Sequence, residues 1–197
     1  METTPPLNAG PEKPGILFIL SAPSGTGKTT ICNQVFKRIP DLVFSVSSTT
    51  RAPRSGERPG IDYYFVSKGE FERKIKDDQW AEWARVHDNY YGTSAEFLDS
   101  ALARQQAVVL DIDVQGAAQI RKRYPGCVTI FIMPPSMEAL QARLDARQTD
   151  DAAIIQKRLA NAEKEIAQKD LYHHIIVNDD LQTAVDEMVS LILRYSR

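Results

Sequence analysis

Residues 16–30 read ILFILSAPSGTGKTT, and no other stretch restricts the possible folds of this chain as much. An apolar run without polar alternation is a strand buried on both faces. Small residues, two glycines, a lysine and paired threonines follow it at once. Gly25, Gly27, Lys28 and Thr29 fit the end of the pattern G-x-x-x-x-G-K-[ST], with Ala22 where the first glycine usually stands. Between a strand and a helix, such a pattern makes a cradle for a triphosphate out of Ala22, Pro23, Ser24, Gly25, Thr26, Gly27, Lys28, Thr29 and Thr30. The glycines let successive N–H groups converge on one anion, and the helix turns its positive end toward it. Lys28 then neutralises the outer phosphates and the Thr29 hydroxyl is placed to ligate magnesium. Ala22 requires the backbone there to avoid positive φ.

Further strand candidates are LVFSVS at 42–47, AVVLDID at 107–113, VTIFIM at 128–133 and HIIVN at 174–178. Helical patterns separate them. Ile31, Val35 and Ile39 share one face of a helix stopped by Pro40, VQGAAQIRKRY forms another, and a C-terminal helix carries Leu181, Ala184, Val185, Met188, Leu191, Ile192 and Tyr195. Strands joined by helical crossovers predict an α/β fold, a parallel sheet core with helices on both faces. AVVLDID ends in carboxylates, so Asp111 or Asp113 is the candidate to orient magnesium-bound water, with capping of the next helix as the competing role.

At 197 residues, 43% hydrophobic and 25% charged, the chain suits one compact unit with insertions. A net charge of −2 gives no bulk attraction for nucleic acid, so any basic site must be local. Cys32 and Cys127 have no metal-ligand spacing, and no apolar stretch approaches the ~20 residues that cross a bilayer. The expectation is a cytoplasmic protein without nucleic-acid or membrane partners, its homo-oligomeric state left open. METTPPLNAGPEKP, residues 1–14, is proline-rich without an apolar run and is expected to be a loose tail rather than a signal peptide.

The βα rhythm breaks at 47–97, where SSTTRAPRSGE, YYFV, a helix opened by Ser67 with Glu70 as a capping box, and an extended WAEWARVHDNYYG predict an inserted lobe. Arg51 and Arg54 project from a stiff loop and suit a phosphate monoester, gripped by paired charge-assisted hydrogen bonds. Tyr63, Tyr90 and Tyr91 offer hydroxyl donors or an aromatic surface, or pack. Trp80 and Trp83 are expected to pack within the lobe. A second, charged insertion at 136–160 has little of its own to bury and is expected either to move or to stand as a solvated helical hairpin.

SAPSGTGKTT, SSTTRAPRSGE, DYYFV, AEWARVHDNYYGTS, LDIDVQGA and IVNDDL together resemble the successive motifs of guanylate kinases, in the same order and at similar separations, from about Gly15 to the C-terminus. The resemblance implies a P-loop NTPase core of the nucleoside monophosphate kinase kind at 15–46, 98–135 and 161–197, a GMP-binding lobe at 47–97 and a lid at 136–160. It implies transfer of the γ-phosphoryl of ATP to GMP, and also dGMP, giving ADP and GDP with Mg2+ in purine nucleotide metabolism. It puts the GMP phosphate on Arg51, Arg54, Tyr63 and Tyr91, and the guanine near Ser47, Glu82, Thr93 and Asp113. Glu57 belongs to the acceptor lobe, and Thr29 and Asp111 to the metal. Lys28, Arg51, Arg147 and Arg158 are implied catalytic groups, while Arg143 and Asn178 fall on the ATP side. The lid departs from its relatives' L-x-G-R-G-T, reading LDARQT with Ala146 and Gln148 at the glycine positions. Two other classes compete: a guanylate-kinase-like scaffold that binds phosphorylated peptides, and a small kinase for another phosphomonoester. An intact GTGKT with LDID opposes the first, and the set Ser47, Glu82 and NYYGT opposes the second.

Overall fold

A computed structural model describes residues 15–86, 88–146 and 151–196. The opening apolar run forms β1 (Ile16–Ser21), and the glycine-rich turn passes into α1 (Lys28–Arg38). Then come β2 (Val43–Phe44), β3 (Ser48–Thr49), β4 (Tyr64–Phe65), α2 (Lys68–Lys76), β5 (Trp80–Val86), β6 (Asn89–Ser94) and α3 (Ala95–Ala103). The second half runs through β7 (Ala107–Asp111), α4 (Val114–Arg123), β8 (Val128–Met133), α5 (Met137–Asp145), α6 (Ala152–Ile166), β9 (His174–Val177) and α7 (Leu181–Tyr195).

The core sheet has the order β2-β7-β1-β8-β9, and every pairing in it is parallel. β1 lies at its centre. Phe18 and Leu20 pack toward α1 and α7, Leu17 and Ile19 toward α3 and α4, so both faces of the strand are covered and neither has room for a polar side chain. The parallel core with flanking helices agrees with the sequence reading.

LVFSVS is shorter as a strand than its pattern predicts. Only Val43 and Phe44 pair with β7, and two residues past Val46 the chain is already in a second sheet. A parallel core strand needs apolar residues on both faces, and the serines at 45 and 47 supply neither. AVVLDID likewise ends as a strand at Asp111, because Asp113 turns its carboxylate onto the N–H groups of Gln115 (2.9 Å) and Gly116 (2.8 Å) and caps α4.

The second sheet has the order β4-β3-β6-β5, with β3–β4 parallel and the other pairs antiparallel. The extended WAEWARVHDNYYG is thus a hairpin. Its register shifts between Trp80 and Glu82: Trp80 faces Ser94, Glu82 faces Thr93, and Ala81 is the extra residue of a β-bulge. Trp80 therefore shares a face with Trp83 despite the odd spacing. Phe71 of α2 stacks on Trp80 at 4.2 Å and on Tyr90 at 5.2 Å, and Trp83 meets Tyr90 edge-on, so both tryptophans pack as expected. Ser67 caps α2 by accepting from the Glu70 N–H (3.2 Å), while the Glu70 carboxylate pairs with Lys74.

The second insertion is better seated than its charge suggests. Leu140, Leu144, Ile155 and Ala162 form a small buried cluster between α5 and α6, and Leu140 and Leu144 also press on the phosphate turn at Gly25. Among the described residues no helix is long and apolar enough to cross a membrane.

Candidate active site

The turn between β1 and α1 takes the shape its glycines permit. Gly25 and Gly27 both sit at φ 96°, in the left-handed region, whereas Ala22 does not. Six of the seven α-helices in the described residues have a side-chain cap, from Ser67, Ser94, Asp113, Ser136, Asp151 or Asp180. α1 has none: Gly27 is its N-cap, and Lys28 puts a positive charge where the helix dipole disfavours one. Both features work against the isolated helix and in favour of an anion at its end. Above this end is a cavity of about 400 Å³, walled by Ala22 to Gly25, Gly27 to Thr30, Asp111 to Asp113, and Glu165. Thr26 is fully buried and supplies backbone only. Lys28 forms an ion pair with Asp111.

A second cavity, of about 240 Å³, lies between the core and the inserted sheet and is lined by Ser47, Tyr63, Glu82, Tyr91, Asp111 and Asp113, with Ala84, Val86 and Ile112. The two cavities share Asp111, Ile112 and Asp113 as a common wall. The acidic pair weighed in the sequence thus divides its work: Asp113 caps a helix and Asp111 holds the lysine, while both face each cavity.

The arginine loop is held from within. Glu57 accepts from the Arg51 guanidinium (2.7 Å) through one oxygen and from the Arg54 backbone N–H (2.8 Å) through the other. These contacts keep the Glu57 carboxyl below its usual range and raise Arg51 further. Arg51 also donates from Nε to the Tyr91 hydroxyl (3.3 Å), and its guanidinium lies 5.5 Å from the Tyr63 ring centre. Burial pushes the Tyr63 phenol up. Arg54 is exposed.

Glu82 is 4% exposed, and burial pushes its carboxyl up to about 7, against the hydrogen bond from the Thr93 hydroxyl (2.7 Å); Asp113 raises it further. Thr93 is fully buried, and its hydroxyl holds the Glu82 carboxyl. Behind Glu82, a Cβ on Gly116 would lie 2.7 Å from its Oε2. Gly116→Ala is therefore expected to displace the carboxylate and raise about 10²-fold the KM of the substrate that this cavity takes, at near-wild-type thermal stability. Steady-state kinetics beside a melting curve check this, and an unchanged KM contradicts it.

A family model described as guanylate kinase matches residues 15–195. The chain belongs to the guanylate kinase family. It is 48% identical to the guanylate kinase of Carboxydothermus hydrogenoformans, covering 90% of this chain and 87% of that one. It is 49% identical to that of Geobacter sulfurreducens, covering 92% and 90%. A crystal structure of guanylate kinase from Anaplasma phagocytophilum superposes with a TM-score of 0.74 at 36% identity, over 93% of this chain and 87% of that one.

The residues that the family resemblance puts on the ATP side occupy varied positions. Arg143 of α5 donates to the backbone carbonyls of Thr26 (3.3 Å) and Asn178 (2.8 Å), and Asn178 donates from Nδ2 to the same Thr26 carbonyl (2.7 Å). Arg158 of α6 approaches the Ser24 hydroxyl at 3.5 Å. Arg147 lies outside the described residues. Glu165 was missed in the sequence. It stands on α6 seven residues after Arg158, and burial together with Asp113 pushes its carboxyl up while Lys28 opposes them. The spacing of Arg158, Ala162 and Glu165 marks one helical face, but nothing in the sequence says that this face covers the phosphate cavity.

Proposed function

We propose that the cavity above the phosphate turn receives ATP, that the adjoining cavity receives GMP, and that the γ-phosphoryl passes between them beside Asp111 and Asp113. The observation that carries this reading is the wall the two cavities share, across which a triphosphate and a monophosphate would meet end to end. A GMP phosphate oxygen attacks the γ-phosphorus, the bridging β–γ P–O bond breaks, and ADP keeps that bond's electron pair. No side-chain base is required, because a phosphate monoester has a second pKa of about 6 and is largely a dianion at neutral pH. The protein's task is to align two polyanions and compensate their charge. Lys28 and the free N–H groups of α1 serve the donor, Arg51 and Arg54 serve the acceptor, and Arg158 approaches from α6. Glu82 reads guanine by accepting from its ring N–H and exocyclic amino group, an arrangement adenine cannot satisfy.

Magnesium is the metal this reaction implies, and the residues present fit it. The Thr29 hydroxyl and Asp111 carboxylate are hard oxygen donors on the same cavity wall. An ion held there by these two groups would keep waters and take phosphate oxygens as its other ligands. Bound there it would compensate charge on the transferring phosphoryl group.

ADP formation measured with GMP, dGMP, AMP and ribose phosphates, each with ATP and magnesium, tests the reading. Turnover is expected with GMP and dGMP. Equal rates with AMP contradict the guanine assignment, and no ADP with any acceptor favours a binding module. Arg51→Lys keeps the charge but loses the planar fork that Tyr91 and Glu57 orient, and is expected to raise the KM for GMP by about 10-fold with kcat less affected.

A further inference from the structure

A phosphate turn works by pointing N–H groups into its cavity, and each planar trans peptide that does so points its carbonyl the opposite way, into the protein. Those carbonyls need donors. At the Thr26–Gly27 peptide the donors come from two distant elements. Asn178, just past the end of β9, donates from Nδ2 to the Thr26 carbonyl at 2.7 Å, and Arg143 adds Nη1 at 3.3 Å. The second nitrogen of Arg143 donates to the backbone carbonyl of Asn178 at 2.8 Å and closes the group. Asn178 is 5% exposed, and a Cβ on Gly27 would lie 2.6 Å from its Nδ2, so nothing larger than glycine fits between them.

We propose that Asn178, steadied by Arg143, is a positioning residue that aims the Gly27 N–H at the donor phosphates by holding the other side of its peptide. The carbonyl is pulled toward β9 and α5, and planarity turns the amide of Gly27 toward the cavity that Gly25, Lys28 and Thr29 line. This assigns the Asn178 Nδ2 group to the polyphosphate side of the donor nucleotide. The inference rests on reading that cavity as the ATP site.

Asn178→Asp tests it, because the shape is preserved while a donor facing the Thr26 carbonyl becomes an acceptor. Calorimetric titration of magnesium tripolyphosphate, which has neither base nor sugar, and of ATP would be compared in wild-type and variant protein. Both affinities are expected to fall by the same factor, at least about 10-fold, with GMP affinity retained. Weaker ATP with unchanged tripolyphosphate would overturn the proposal and hand Asn178 to the base. A lowered melting temperature with unchanged tripolyphosphate binding well below it would also overturn it, leaving a structural role. If the aspartate variant does not fold, Asn178→Ala carries the same expectations. Wild-type protein binding neither ligand would instead refute the reading of the cavity, and the positioning role with it.

Discussion

Lys28→Ala is expected to lower kcat by about 10³-fold or more while GMP still binds. The lysine is the positive side chain that begins α1, at the uncapped end where the triphosphate is placed, and its ion pair with Asp111 holds it at the wall shared with the acceptor cavity. Charge develops between donor and acceptor as the phosphoryl group moves, so removing this cation acts most strongly on the transition state. On the proposed reading GMP is anchored elsewhere, through Arg51 with its Glu57 and Tyr91 contacts and through Glu82. Calorimetry of GMP binding beside single-turnover kinetics checks both halves. Loss of GMP binding in the variant would mean that the acceptor site is not independent of the lysine.

Glu82→Gln is expected to erode discrimination between GMP and AMP by as much as ~10⁴-fold, since a carboxamide can turn a donor toward adenine's ring nitrogen where the carboxylate could only repel it. Stability changes in the opposite sense. In the folded chain the carboxyl titrates at about 7 rather than 4.5, so the protein is penalised for ionising it. Relative to the unfolded chain, the favourable contribution is fully present below pH 4.5 and is lost as pH rises through about 7. The span corresponds to a burden on the order of 3 kcal/mol above neutrality. The glutamine variant should therefore gain stability at pH 8 and little at pH 4, as thermal denaturation at the two values would measure. Guanine donors favour the carboxylate, so GMP binding near pH 7 should release protons. Phosphate binding contributes to that release in both proteins, and the difference between them isolates Glu82. Equal proton release would remove Glu82 from the guanine contact.

What the sequence made legible was what lies contiguously in it. The phosphate turn is one unbroken segment whose glycines and lysine act through the local backbone, and β1, β8 and α7 have periodicities that match their burial. Arg51 and Arg54 read as anion ligands because proline and glycine surround them, and the structure adds Glu57 as the brace within the same loop. Convergence between remote segments was not legible. Arg143 meets Thr26 across 117 positions, and the partner of Glu82 on its far side is a glycine of another element. No spacing encodes such meetings. Thr93 was placed at the guanine because it belongs to the motif, and its hydroxyl is buried against Glu82, a meeting of neighbouring strands that the motif does not spell out. LVFSVS misled for a different reason: its alternation is that of a strand, but a strand that leaves one sheet for another has too few pairing partners to remain one.

The extra residue at Ala81 makes the hairpin sensitive to length as well as to content. Beyond it Glu82, Ala84 and Val86 face the acceptor cavity; before it Trp80 faces Phe71. Excising that one alanine would restore strict alternation with Trp80 and Glu82 still on opposite faces, whereas excising Ala84 would leave the chain to choose between two faults. Either Glu82 turns into the aromatic packing under α2, or Arg85 turns into the acceptor cavity and Val86 out of it. A missing codon at Ala81 should therefore be better tolerated than one at Ala84, and codon-deletion scanning across the hairpin would show a local maximum of retained activity at the bulge.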